Sequence, residues 1–150
     1  MRSAYTRAAR FGRFDRSMEL SASLGRLVLR LTLGGLLLFH GIAKLHAVPV
    51  GIMDRIAKVG LPSELGYLVY VGEVLAPVLL ILGLWTRVAA LLVAVNMVVA
   101  VLLSHTAQLG DTGRSGGYAL ELQAFYLFSA VALVFLGGGR FGVGGSGKLN

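Results

Sequence analysis

Five ionisable side chains stand where an apolar chain should not carry them. His40, Lys44, Glu73, His105 and Glu121 each lie inside, or at the end of, a long hydrophobic run. A charge facing hydrocarbon is costly, so such residues pair with one another or line a polar cavity. A lysine and a glutamate can neutralise each other, hold a polar headgroup or pass a proton, and a histidine adds a group that titrates near neutral pH. Two uses are open on these residues alone. Either the set is a staple whose opposite charges fix helix register, or it is a pocket that binds a ligand headgroup or relays protons. Arg30, at the other end of the first run, reads as an interface anchor that snorkels its guanidinium to water.

Positioning these residues takes four apolar spans, at about 24–45, 65–85, 88–105 and 118–136. A helix rises ~1.5 Å per residue, so ~20 residues cross the ~30 Å hydrocarbon core. The first span carries His40 and Lys44 toward its end. The second holds Glu73 with Pro77 one turn later, the third holds Asn96 and ends at His105, and the fourth begins near Glu121. Thr86-Arg87 is the whole link between the second and third, which forces an antiparallel hairpin. Spans that alternate in direction bring His40, Lys44, Glu73, His105 and Glu121 into the same half of the bundle. Arg30, Gly34, Leu37, Gly41 and Lys44 share one face of the first helix, with His40 at its edge. Gly66, Tyr70, Glu73, Pro77 and Leu80 share one face of the second. Gly34 and Gly41 let a neighbouring backbone approach. With these faces turned inward, Lys44 is expected to pair with Glu73 or Glu121.

The remaining chain reads as tails and connections. Residues 1–23 form a basic tail in which Ala4 to Leu20 is either a short interfacial helix or disordered. The run begins too late, and Lys44 and His46 sit too close to any small-residue cleavage site, for a secretory signal. Between Pro49 and Pro62, Ile52, Ile56 and Val59 make one side of a short amphipathic helix lying along the membrane surface. Residues 106–117 are a loop, and the glycine-rich residues 139–150 a flexible tail. The composition agrees: 56% hydrophobic and 14% charged residues, against about 25% charged in an ordinary soluble domain. The fold class expected is all-α, an integral membrane four-helix bundle over residues 24–138. The net charge of +7 comes largely from the first 30 residues. No nucleic-acid-reading motif accompanies it, so anionic lipid, not nucleic acid, is the expected partner. The chain has no cysteine, which removes thiol chemistry and Cys-ligated metal, and no metal site is expected. Most Lys and Arg residues fall on the side of the two termini, which places both in the cytoplasm.

These residues together resemble the DoxX family of small four-helix membrane proteins. The likeness is carried by Arg30, Gly34, His40-Gly41 and Lys44-Leu45, then Gly60-Leu-Pro62 ahead of Glu73, Gly83-Leu-Trp-Thr-Arg87, Glu121, and Gly139-Arg-Phe. It extends over residues 24–143. The resemblance implies a bacterial cytoplasmic-membrane protein associated with membrane redox systems, and places Lys44, Glu73, Arg87 and Glu121 at the family's recurrent polar sites. The function expected is the membrane subunit of a quinone-linked oxidoreductase, whose site (His40, Lys44, Glu73, His105 and Glu121) binds quinone or relays protons. No catalytic residue is singled out. Quinone is the cofactor that fits, with redox partner proteins or a second copy of the chain as partners. The competing expectation is a non-catalytic membrane scaffold, and a small transporter is the weaker third.

Overall fold

The computed structural model describes residues 2–46, 49–113, 116–145, 147 and 149–150, with side-chain surroundings from residue 17 onward. Arg114 and Lys148, two of the cations that weigh on orientation, lie outside the described residues. The chain is all-helical. Helix α1 spans Arg2–His46 and α2 spans Val50–Lys58. A continuous helical stretch, Ser63–Leu82, is labelled α3; α4 is Thr86–Ser104 and α5 is Glu121–Leu136. A lone bridge between Thr112 and Tyr118 is the one β-type pairing among the described residues.

The bundle is a square of α1, α3, α4 and α5. Contacts run α1 to α3, α3 to α4, α4 to α5 and α5 back to α1, leaving α1 and α4 on one diagonal. Small residues make this close packing feasible. Ala76, Ala89, Ala90, Ala94 and Ala130 line the centre with Leu33, Leu37, Leu80, Val93 and Leu133, and backbones approach closely where side chains are short. The outside is greasier than the inside. Phe39, Leu102, Phe128 and Phe135 are 63–75% exposed, an apolar skin that a soluble monomer does not present but lipid accommodates. Three helices, Ser17–His46, Ser63–Leu82 and Thr86–Ser104, are long and apolar enough to cross a membrane, while α5 is apolar but has 16 residues.

Two local features follow from proline and glycine. Pro77 has no N–H to give the main-chain oxygen of Glu73, and its ring crowds that carbonyl. The turn just before it, Val71–Leu75, opens into a π-helix, and the freed Glu73 carbonyl turns toward Gly41 of α1. Farther on, Gly83 adopts φ +68°, and Leu84 N–H reaches back to Leu79 O at 2.9 Å. This Schellman closure ends α3. The α3–α4 turn is therefore Gly83-Leu84-Trp85, slightly earlier than the Thr86-Arg87 link expected from sequence. Trp85, also left-handed at φ 46°, precedes α4.

Three expectations need correction. The basic arm is not a separate tail in backbone terms: α1 is one helix from Arg2, and its 45 residues run ~68 Å, well beyond a ~30 Å hydrocarbon core. The glycine-rich tail folds back onto the bundle. Val143 and Gly144 donate to Leu82 O and Gly83 O, and Arg87 N–H donates to Leu149 O. Asn150 is buried, its Oδ1 accepting from Thr86 N at 3.1 Å and Thr86 Oγ1 at 2.8 Å. It supplies the N-cap that α4 lacks locally. Finally, Arg30 does not snorkel. Its side chain is fully buried, with Nη1 donating to Leu80 O and Nη2 to Phe141 O. The end of α3 and the returning tail close over it, so two backbone carbonyls, and not water, accept from it, while its buried Nε has no partner among the described residues.

Candidate functional site

The site begins with the two inward stripes. Arg30, Gly34, Leu37 and Gly41 are buried along α1, and Gly66, Glu73, Pro77 and Leu80 along α3, so the faces meet as their spacing predicts. At Gly41 there is no room for a side chain, because Glu73 O and C of α3 lie where a Cβ would be. This contact sets Lys44, one turn on, beside the Glu73 side chain. Lys44 Nζ reaches both Glu73 oxygens at 2.5 Å. The carboxylate is nearly fully buried and the ammonium about one-third exposed, so the pair closes one end of a space that remains partly open.

Two further contacts fix this pair. Asn96 of α4 turns its Nδ2 toward Glu73 Oε1 at 3.5 Å. It can come so near because Gly72 has no side chain: a Cβ there would stand 2.7 Å from Asn96 Oδ1. Tyr70 donates its hydroxyl to Lys44 O at 3.0 Å, satisfying one of the carbonyls that a helix C-terminus leaves free.

Above the pair lies a chamber of about 740 Å³, roofed by α2 and walled by α3 and α4. That volume falls within the ~300–1,000 Å³ of small-molecule sites. Leu65, Val69, Val95, Val99 and Leu103 make the walls apolar, Lys44, Glu73 and Asn96 lie at one end, and Arg55, Ser104 and His105 lie at the other. The roof is tied down twice. Met53 of α2 packs onto Gly66, where a Cβ would come within 2.6 Å of Met53 Cγ, and Arg55 Nη1 donates to Ser104 Oγ at 2.9 Å.

The five residues singled out in the sequence therefore separate into three places. Lys44 and Glu73 form the ion pair, and His105 joins the same chamber at its far end, its Nδ1 3.0 Å from Gln108 Oε1. His40 stands outside, edge-on to Tyr126 of α5 with ring centroids 6.1 Å apart. Glu121 is exposed at the start of α5, its carboxylate beside Gly117, and among the described residues the one ion pair is Lys44–Glu73. The sequence reading did not assign Asn96, Tyr70 or Arg55 to the site. For Asn96 a signal existed, since an amide amid the Ala, Val and Leu of α4 needs a polar partner.

An all-helical bundle with an apolar skin and a polar-ended chamber under a roof helix defines a helical integral membrane protein with an internal small-molecule-sized site. Residues 25–106 match the family model described as DoxX, and the chain belongs to the DoxX family. Among curated proteins, it is 31% identical over 85 residues to "Putative oxidoreductase CatD" of Bacillus subtilis, covering 57% of this chain and 63% of that protein. The match thus spans somewhat less than two thirds of CatD. An uncharacterized protein of Haemophilus influenzae is 32% identical over 111 residues, covering 74% of this chain and 81% of its own. No solved structure matches.

Proposed function

We propose that this chain is the membrane subunit of a quinone-linked oxidoreductase of the bacterial cytoplasmic membrane, with both termini cytoplasmic, and that the chamber beneath α2 is its quinone site. The observation that carries the reading is the Lys44–Glu73 pair with Asn96 at the end of an apolar chamber. A quinone, when bound, supplies a two-electron, two-proton acceptor. The residues suit such a ring. The Lys44 ammonium and the Asn96 amide are donors for a carbonyl oxygen, the Glu73 carboxylate can take or give a proton beside it, and the aliphatic walls accept an isoprenoid chain. A reducing centre on a partner protein completes the system, since this chain has no cysteine to serve as a thiol donor.

A second reading has its own support. Lys44 already meets both Glu73 oxygens, as a staple between α1 and α3 would, and on that reading the chain is a scaffold. The test is equilibrium binding of a radiolabelled short-chain quinone to the protein in nanodiscs. Glu73→Gln and Lys44→Met should each weaken binding about tenfold, the scale of one charge-assisted hydrogen bond. Glu121→Gln should leave it unchanged. Folded variants at positions 44 and 73 that keep wild-type quinone affinity sink the quinone site and leave the scaffold.

A further inference from the structure

The chamber has two polar ends, and they differ in charge. At the inner end Lys44 and Glu73 cancel. At the other end the exposed Arg55 donates to the neutral Ser104 hydroxyl, and among the described residues no carboxylate pairs with it, the one ion pair being elsewhere. A guanidinium carries five N–H donors in a planar fork suited to carboxylate or phosphate oxygens, so most of its donors remain for a ligand. His105 stands beside it on the same rim. Asn96 and Ser104 are eight residues apart on α4, so the two ends are separated by ~12 Å, and the walls between them are aliphatic.

A bare inorganic anion would match Arg55 but leave the walls without a partner. A neutral hydrocarbon would fill the walls but give the Arg55 guanidinium no oxyanion to bind. We infer that the chamber also takes single-chain amphiphiles with an anionic oxyanion head, the head held by Arg55 at the Ser104–His105 rim and the chain lying between Val95, Val99 and Leu103. Arg55 then sets the ligand's charge, and the wall its length. Nothing here depends on a quinone at the Lys44–Glu73 end. If both ligands bind, the two occupy overlapping space and anionic amphiphiles compete with quinone.

The test uses the full chain in phosphatidylcholine nanodiscs, with empty nanodiscs subtracted and three ten-carbon probes: decanoate, decyl phosphate and decanol. Decanoate, decyl phosphate or both should bind the wild type about tenfold more tightly than decanol, as one charge-assisted contact gives. That advantage should vanish in Arg55→Gln, a change at an exposed side chain that leaves the Met53–Gly66 contact to hold α2. Whichever anionic probe binds better identifies the head as a fatty-acid carboxylate or a phosphate. Val99→Trp, which fills the chamber, should remove binding of all three from a protein that still folds. Decanol binding the wild type as well as both anions, or the anionic advantage persisting in Arg55→Gln, overturns the inference, whatever the quinone assay returns.

Discussion

Replacing Gly41 by alanine tests the geometry on which the site depends, and Gly35→Ala is its control. Both glycines lie inside α1, so both substitutions gain about 1 kcal/mol of helix propensity, and that gain cancels in the comparison. They differ in what the new methyl meets. At position 35 no atom lies within 4 Å. At position 41 the methyl would stand 2.7 Å from the Glu73 carbonyl carbon, nearer still to its oxygen, and 2.8 Å from Val74 Cγ2. Overpacking costs about 1–3 kcal/mol, and the upper end applies because the obstacle is backbone that cannot rotate aside. Gly41→Ala should therefore be about 3 kcal/mol less stable than Gly35→Ala, and about 2 kcal/mol below wild type. Reversible unfolding in mixed micelles, followed by helical circular dichroism and by Trp85 fluorescence, measures both. Equal stabilities for the two variants would refute the close α1–α3 approach, and with it the placement of Lys44 against Glu73.

The ion pair predicts a non-additive cycle. Lys44→Met alone leaves a buried carboxylate without its cation and should cost on the order of 3 kcal/mol, whereas Lys44→Met with Glu73→Leu should recover most of that loss. Additive losses in the same unfolding assay would show that the two side chains do not interact. Arg30→Lys should also destabilise, by about 1–3 kcal/mol, because an ammonium cannot reach Leu80 O and Phe141 O together as the guanidinium fork does. A lysine variant as stable as wild type would mean that these two carbonyls contribute nothing.

Much of this arrangement is legible in the sequence because it follows from periodicity. Arg30, Gly34, Gly41 and Lys44, and likewise Gly66, Glu73 and Pro77, face inward as their helical spacing requires, and depth alone narrows the partner of Lys44 to two carboxylates. What escapes is whatever depends on main-chain atoms or on the azimuth of a helix. Arg30 has no acidic partner to find, since its acceptors are carbonyls of Leu80 and of Phe141, 111 residues away. Glu121 shares the depth of Lys44, but the turn from Tyr118 into α5 leaves it on the outside. The chamber escapes for a related reason. It exists because α2 lies over α3 and α4 as a roof, and the amphipathic pattern of α2 says that it lies on a surface without saying which.

The cap that Asn150 provides for Thr86 has a consequence for biosynthesis. Helix α4 leaves the ribosome more than sixty residues before the side chain that satisfies its first N–H groups. Arg30 waits longer still for the Phe141 carbonyl. Until residues 141–150 emerge, Arg30 has Leu80 O but not Phe141 O, and the first N–H groups of α4 have only water and lipid phosphates as partners. The contacts that close over Arg30 and the start of α4 therefore form only after residues 141–150 have emerged, and a nascent chain arrested short of Asn150 holds the spans without that latch.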